Sequence, residues 1–313
     1  MSGQAIIETK ELTKNYGKFT AVDHLNLSIE EGDIFGFLGP NGAGKTTTIL
    51  MLLGLTEPSS GSASIAGHNP AREPLKVKSI VGYLPEKVGF YEELTAKQNL
   101  EYTARLNNIP EDQITKKIEQ VLQSVGLTNS RDKAVGQFSH GMKQRLGIAD
   151  VMIKNPKVIF FDEPTTGIDP QGIEEILALI TELASKKITA IISSHQLHHI
   201  QRVCNQVGIM SKGKLVVQGP IDILGRTTIS GGKFQIEVEA SPITDELIKK
   251  IEGIKGVIKV EHSDNKLSIS CEEDLRPQIS KTIIECESLL SGMKIEEYAL
   301  EEIYMKYFSE LQL

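Results

Sequence analysis

The sequence predicts an α/β protein with a parallel sheet in its first domain and a smaller α+β domain after it. Over residues 1–224, short apolar runs that are typical of buried strands alternate with segments of helical periodicity. After Leu224 the composition becomes small, polar and rich in glycine, and a second series of short elements follows. The length of 313 residues agrees with about two domains.

Three apolar runs in the first domain are predicted as central strands, namely Ile34–Leu38, Val158–Phe161 and Thr189–Ile192. Between the last two, residues 171–186 place their apolar side chains on one face of a helix. A strand, a helix and a strand in succession favour parallel pairing through right-handed crossovers. Residues from about 92 to 153 are predicted as a mostly helical subdomain within this domain.

Residues 225–233 are predicted as a linker, because they are small, polar and glycine-rich. The following domain, residues 234–313, is predicted to order its elements as β-α-β-β-α-β with a terminal helix. Its strands are expected at 234–239, 257–261, 267–271 and 294–298, and its helices at 244–252, 275–290 and 300–311. This order is the split β-α-β pattern of ferredoxin-like domains.

The composition argues against several classes of protein. Lys and Arg number 34 against 41 Asp and Glu, so the net charge of −7 argues against nucleic acid as a partner. Cys204, Cys271 and Cys286 fit neither a disulfide framework nor a metal-ligand spacing, which indicates a reducing compartment. The sequence has no long apolar span and no apolar signal core near its first residues, so we expect a cytoplasmic protein.

A glycine-rich segment over residues 39–46, Gly-Pro-Asn-Gly-Ala-Gly-Lys-Thr, matches the pattern G-x-x-x-x-G-K-[ST] between a predicted strand and a predicted helix. Its backbone N–H groups are expected to converge on phosphate oxygens at the start of that helix. Lys45 is expected to reach the β- and γ-phosphates, and the Thr46 hydroxyl to bind Mg²⁺. The nucleotide-binding residues predicted from this segment are Gly39, Pro40, Asn41, Gly42, Ala43, Gly44, Lys45, Thr46 and Thr47.

Two carboxylates, Asp162 and Glu163, follow the predicted strand at residues 158–161. A carboxylate at the end of such a strand is suited to a Mg²⁺ ion beside a phosphate loop, and we expect Asp162 in that role. A second carboxylate next to it is suited to orienting or deprotonating a water molecule, and we expect Glu163 to do so.

A third segment, Phe-Ser-His-Gly-Met-Lys-Gln-Arg at residues 138–145, is predicted to start a helix with Ser139 as its N-cap. A helix N-terminus favours a bound anion. The three segments together resemble the ATP-binding cassette family, in which this third segment is usually Leu-Ser-Gly-Gly-Gln. Ser139 and Gly141 match that pattern. The positions that depart from it are Phe138, His140 and Met142.

The resemblance covers residues from about 5 to 222 and implies roles for four further residues. Tyr16 resembles the aromatic residue that stacks on adenine. Glu86 stands where the family usually has glutamine, and is implied to contact Mg²⁺ or the attacking water. Asp169 resembles the residue that contacts the opposite subunit, and His195 resembles the histidine that contacts the γ-phosphate.

The resemblance implies a P-loop NTPase cassette that binds and hydrolyses ATP with Mg²⁺. It implies a homodimer that closes around ATP, on the cytoplasmic face of the membrane, with a separate permease chain as its partner. The tail, which ends in Leu300-Glu-Glu-Ile-Tyr-Met, is similar to the accessory and dimerisation domains that follow cassettes of efflux type. Residues 83–91 are also similar to ATPases that serve the maturation of nitrous-oxide reductase.

Three other functions remain as alternatives to an exporter ATPase. The first is an importer ATPase, against which the efflux-type tail argues. The second is a soluble cassette protein that acts on ribosomes or DNA, against which the single cassette and the absence of a long heptad run argue. The third makes the tail a metal-binding module, but it lacks the paired cysteines that such modules need.

Overall fold

The computed structural model describes residues 5–296 and 298–310. It divides into two compact units, of which the first ends at Gln218 and the second begins at Gly219. The sequence placed this division six residues later, after Leu224. Within the described ranges, none of the helices combines the length and the apolar character that are needed to cross a membrane.

The first unit contains ten strands and seven α-helices among its described residues. The strands are β1 (Ala5–Tyr16), β2 (Phe19–Leu25), β3 (Ser28–Glu30), β4 (Ile34–Leu38), β5 (Ser60–Ile65), β6 (Val81–Leu84), β7 (Val158–Asp162), β8 (Thr189–Ser194), β9 (Gln206–Ser211) and β10 (Lys214–Pro220). The helices are α1 (Lys45–Leu52), α2 (Pro74–Ile80), α3 (Ala96–Leu106), α4 (Glu111–Ser124), α5 (His140–Met152), α6 (Pro170–Ser185) and α7 (Leu197–Val203).

The core of the first unit is a six-stranded sheet in the order β10-β9-β4-β8-β7-β6. Strands β9, β4, β8, β7 and β6 pair in parallel, as the sequence predicts. Every residue of β4, β7 and β8 is buried, which explains why these strands are apolar throughout rather than alternating. Because β4 and β7 both pair in parallel with β8, the loops that follow β4 and β7 emerge at the same end of the sheet.

A second sheet, which the sequence analysis did not predict, is built on the long strand β1. This strand pairs antiparallel with β2, β3 and β5. All three pairings contain register shifts, so buried and exposed positions along β1 do not alternate regularly. The period-2 pattern by which a strand is recognised is therefore absent from this part of the sequence.

The predicted helical subdomain consists of α3, α4 and α5, which lie between residues 96 and 152. Helix α4 buries Ile114, Ile118 and Leu122, which are spaced four residues apart and so lie on one face of the helix. Helix α3 starts with a capping box in which the Thr95 hydroxyl accepts from the Gln98 N–H. Local signals and packing thus agree in this subdomain.

The second unit adds α8 (Ile221–Ile229), β11 (Phe234–Ser241), α9 (Asp245–Glu252), β12 (Val257–Ser263), β13 (Lys266–Cys271), α10 (Arg276–Glu285), β14 (Leu289–Ile295) and α11 (Leu300–Glu310). Its sheet has the order β12-β13-β11-β14 and is antiparallel throughout. The apolar residues of β11 and β13 pack with those of α9 and α10 in one core. The connectivity from β11 to β14 is the split β-α-β pattern that the sequence predicts.

Residues 225–229, which the composition predicts as part of a linker, instead form the second half of helix α8. The glycine at position 225 serves a close contact rather than chain flexibility. A Cβ atom there would lie 2.5 Å from the Tyr298 ring, which is closer than any side chain tolerates. Only residues 230–233 connect α8 to β11.

The predicted helix at residues 275–290 ends early, at Glu285, and the following strand β14 begins at Leu289 rather than at residue 294. The backbone of Glu287 is left-handed, with φ of 55°, which stops the helix. Ser288 then donates its hydroxyl to the carbonyl of Pro242 and starts the next segment. The apolar residues Leu289 and Leu290 extended the helical periodicity past this stop signal.

Candidate active site

A cleft of about 270 Å³ lies where the loops leave β4 and β7. The Gly-rich loop that joins β4 to α1 forms one wall, and the carboxylates at the end of β7 face it. The lining residues are Tyr16, Phe19, Ala21, Pro40, Asn41, Gly42, Ala43, Gly44, Lys45, Thr46, Thr47, Glu86, Asp162 and Glu163. Most of the residues that the sequence analysis predicts for the site therefore share one cleft.

Glycine is required at both ends of the Gly-rich loop. Gly39 and Gly44 have φ of 149° and 105°, in the region that only glycine adopts readily. A Cβ atom on Gly39 would lie 2.4 Å from the carbonyl oxygen of Met210, and one on Gly44 would lie 2.5 Å from that of Ala21. The loop is thus held against the neighbouring backbone, while its outer surface lines the cleft.

Lys45 opens helix α1, and its side chain is buried inside the loop. Its Nζ atom donates to the carbonyl oxygens of Gly39 at 2.6 Å and of Pro40 at 3.2 Å. Burial lowers the pKa of Lys45, and the charges of Glu163 and Asp162 oppose that shift. The ammonium group is therefore held beside the α1 N-terminus, where an anion is favoured.

Asp162 is the last residue of β7 and is almost fully buried. Its Oδ1 atom accepts a hydrogen bond of 2.5 Å from the hydroxyl of Ser193, its register partner on β8. The Tyr83 hydroxyl lies 3.5 Å from Oδ2, and burial together with the Asp162 charge raises the pKa of Tyr83 to about 12. Ser193 and Tyr83 thus fix the orientation of the Asp162 carboxylate by donating to its oxygens.

Glu163 follows with a left-handed backbone, φ of 50°, an arrangement that is uncommon for a side chain of this type and recurs at functional sites. Its N–H donates to the Ser193 carbonyl at 3.1 Å. Its carboxylate lies 3.0 Å from Nδ1 of His195, and the Thr166 hydroxyl lies 3.5 Å from Oε2. The backbone geometry therefore turns this carboxylate toward the cleft, with His195 beside it.

Oxygen donors that suit a Mg²⁺ ion line the cleft. The hydroxyl of Thr46 and the carboxylate of Glu86 are exposed there, near Asp162. Mg²⁺ is held by one or two carboxylates together with phosphate oxygens and water, rather than by a cage of protein ligands. In keeping with that preference, no group of three His, Cys, Asp or Glu residues in the described ranges converges as a self-sufficient metal site.

Two exposed aromatic side chains flank the mouth of the cleft. Tyr16, the last residue of β1, is half exposed and pairs in register with Phe19, the first residue of β2. The Lys14 ammonium lies 5.1 Å from the centre of the Tyr16 ring. Phe19 was not predicted from the sequence, although its place across a tight hairpin from Tyr16 was a signal for it.

Five predicted residues are not among those that line this cleft. Gly39 starts the Gly-rich loop, and His195 contacts the Glu163 carboxylate beside the cleft. The other three lie at the starts of helices. Ser139 caps helix α5 by accepting from the Met142 N–H at 3.3 Å, and Gly141 lies in the first turn of that helix. Asp169 caps helix α6 by accepting from the Gly172 N–H at 2.8 Å. None of the three lines the cleft of its own chain, so the structure does not bring them to the Gly-rich loop.

Sequence comparisons identify the family of this chain. A protein-family model described as ABC transporter matches residues 22–166. The bacitracin transport ATP-binding protein BcrA of Bacillus licheniformis is 46% identical over 74% of this chain and 75% of its own length. The linearmycin resistance ATP-binding protein LnrL of Bacillus subtilis is 31% identical over 96% of this chain and 97% of its own length.

Solved structures of ABC transporter subunits are similar to most of this chain. An ATP-binding subunit of an ABC transporter has 29% sequence identity and a TM-score of 0.65, and the match covers 71% of this chain and 92% of that one. The cbiO1 protein of Clostridium perfringens, part of the cbiONQ ABC transporter complex, has 27% identity and a TM-score of 0.64. That match covers 80% of this chain and 96% of cbiO1.

Proposed function

Because this chain belongs to the ABC transporter family of ATP-binding proteins and is an ATPase, we propose that it powers an exporter whose membrane-spanning part is a separate chain. The match to LnrL, a linearmycin resistance protein, extends over nearly the whole of both chains and supports export rather than import. BcrA, a bacitracin transport protein, is a second relative whose name concerns an antibiotic. We propose an antibiotic as the class of exported substrate, and deletion of the gene is expected to raise antibiotic sensitivity.

The observation that carries the proposal is the shared cleft of Lys45, Asp162 and Glu163. In the proposed roles, the loop N–H groups and the Lys45 ammonium bind the phosphates of ATP. Glu163 accepts the proton of the attacking water. His195, whose Nδ1 atom lies 3.0 Å from the Glu163 carboxylate, holds that carboxylate in place. The exposed ring of Tyr16 offers a stacking surface for adenine.

Thr46, Asp162 and Glu86 would hold Mg²⁺ beside the phosphates. Bound there, Mg²⁺ neutralises charge that develops on the phosphate oxygens. Ser193 and Tyr83 donate to the Asp162 carboxylate, so its free lone pairs are presented in a fixed direction. Glu86 supplies a second carboxylate to the cleft, and its negative charge favours a site that is occupied by a cation.

A second copy of the chain is the partner that would complete the site. Ser139 is exposed at a helix N-terminus that suits an anion, and Gly141 is buried in the first turn of that helix. Neither residue lines the cleft of its own chain. We propose that they contact ATP bound to the other copy, and that Asp169 contacts that copy as well. A symmetric pair then contains two equivalent sites.

Replacement of Glu163 by glutamine tests this function. The amide keeps the shape of the side chain but cannot accept the proton, so ATP binding is expected to persist while kcat falls by at least about 100-fold. Bound ATP then holds the two copies together, and size-exclusion chromatography with MgATP should show a dimer that disappears when ATP is removed.

The matched control is Glu182→Gln, which changes an exposed carboxylate on α6 that binds Lys186. This control should keep wild-type turnover and should not form an ATP-dependent dimer. Wild-type hydrolysis in Glu163→Gln would remove Glu163 from the proposed role.

The membrane partner is tested by a separate experiment. A chain with several membrane spans should co-purify with the ATPase from membranes. Absence of such a chain would contradict the exporter assignment.

A further inference from the structure

His140, the first residue of helix α5, makes a contact that none of the proposed roles uses. Its Nε2 atom lies 3.1 Å from the carbonyl oxygen of Thr166, in the loop between β7 and α6. A carbonyl oxygen only accepts hydrogen bonds, so Nε2 carries the proton and donates it. The imidazole therefore joins the N-terminus of α5 to the loop that follows Glu163.

Thr166 in turn contacts Glu163 in two ways. Its N–H donates to the Glu163 carbonyl at 3.2 Å, and its hydroxyl lies 3.5 Å from the carboxylate oxygen Oε2. The position of the Thr166 hydroxyl depends on the path of its own backbone. A group that holds the Thr166 carbonyl therefore also influences where the Glu163 carboxylate lies.

Gly167, the next residue of the loop, lies close to the imidazole. Gly167 has φ of 72°, and a Cβ atom there would lie 3.6 Å from Nε2 of His140, at ordinary contact distance. The ring is exposed, and it lies beside Gly167 while it contacts the Thr166 carbonyl. A glycine at position 140 would remove both the hydrogen bond and this packing.

We propose that His140 is a positioning residue for ATP hydrolysis, which holds the Thr166 loop so that the Thr166 hydroxyl orients the Glu163 carboxylate. The inference rests on the proposed role of Glu163. His140 would also connect two nucleotide sites. In the proposed roles, the neighbouring Ser139 contacts ATP bound to the other copy, whereas Glu163 acts on ATP bound in its own cleft. When the N-terminus of α5 moves onto ATP, His140 and Thr166 would then shift the Glu163 carboxylate of the same chain.

His140→Ala in the full chain tests this role. Since one hydrogen bond contributes about 1 kcal/mol, kcat for MgATP hydrolysis is expected to fall by about 3- to 10-fold. The dissociation constant for ATP and the melting temperature should stay close to those of the wild type, because His140 does not line the cleft. His140→Gln retains an N–H donor at similar reach and should restore kcat to within about twofold.

A double-mutant cycle shows whether His140 acts through Thr166. Thr166→Val removes the hydroxyl beside Glu163, so adding His140→Ala to it should lower kcat by much less than His140→Ala does alone. Additive losses would overturn the proposal. His262→Ala, at an exposed histidine in the second unit, is the control and should leave kcat unchanged.

A third measurement separates positioning from direct contact with ATP. In the Glu163→Gln background, His140→Ala should leave ATP-dependent dimer formation within about twofold. A dimer that weakens tenfold or more would show that His140 acts on bound ATP, and would overturn the inference. Wild-type turnover in Glu163→Gln would contradict the proposed function itself. Additive losses of kcat in the double-mutant cycle would contradict only the role of His140, so the two failures can be told apart.

Discussion

Ser193 shows how much of the site depends on a side chain that no motif marks. It is fully buried near the carboxyl end of the central strand β8. There its hydroxyl donates to Asp162 and lies 3.3 Å from the backbone nitrogen of Glu163. It also accepts the Glu163 N–H at its backbone carbonyl. One residue of β8 thus holds both the carboxylate of Asp162 and the backbone of Glu163.

Ser193→Ala is therefore expected to weaken the use of Mg²⁺ without removing the cleft. Loss of a group that orients a metal ligand typically lowers metal affinity by 10- to 100-fold, so the Mg²⁺ concentration for half-maximal ATPase activity should rise by about 10-fold. A Mg²⁺ titration at saturating ATP measures this shift. Ser194→Ala is the matched control, since the Ser194 hydroxyl accepts from the Gln196 N–H instead. An identical Mg²⁺ dependence in both variants would contradict the role of Ser193.

At the scale of elements, the strongest predictions came from segments whose local pattern agrees with their packing. The buried strands β4, β7 and β8 lie within one or two residues of the expected ranges, because a strand covered on both faces is apolar throughout. Helix α8 shows the opposite case. Gly225 contributed to the prediction of a linker. In the structure it lies within α8, where the absence of a side chain leaves space for the Tyr298 ring.

Gly225→Ala tests this account of helix α8. Alanine favours a helix by about 1 kcal/mol over glycine, but the added methyl group would meet the Tyr298 ring at 2.5 Å. Overpacking of this kind typically costs about 1–3 kcal/mol, so the second unit should unfold at a lower temperature. Calorimetry of the full chain, with hydrogen exchange to locate the change, measures it.

The control is Gly253→Ala at the end of α9. The backbone there is right-handed, and the nearest atoms lie 3.5 Å from the added carbon, so this change should be neutral or slightly stabilising. If Gly225→Ala were equally harmless, the ring contact would not be the reason for the glycine.

At the scale of the whole molecule, the two compact units predict that the cassette folds without the tail. A chain that ends at Pro220 keeps strand β10 whole and leaves out α8, whose Thr228 hydroxyl bonds to that of Tyr307 in α11. We expect this truncated chain to be folded and to bind ATP with an affinity within about threefold of the full chain. Circular dichroism and ATP titration measure both properties.

A chain that ends at Leu224 would instead retain a fragment of α8 without its neighbours, and Leu224, which is buried in the full chain, would lose its cover. We expect this longer fragment to be no more stable than the one that ends at Pro220. Failure of the Pro220 chain to fold would show that the cassette depends on the second unit.

The sequence by itself determined the fold class, the Gly-rich loop with Lys45, and the carboxylates Asp162 and Glu163, because each is written in a short contiguous segment with its own spacing. Only the tertiary structure decided which other groups meet them. Ser193 contacts Asp162 across 31 positions of the chain, and His140 contacts Thr166 across 26. Such contacts arise from the order of the strands and the path of the loops, which depend on the packing of the whole unit. No local sequence pattern therefore predicts them.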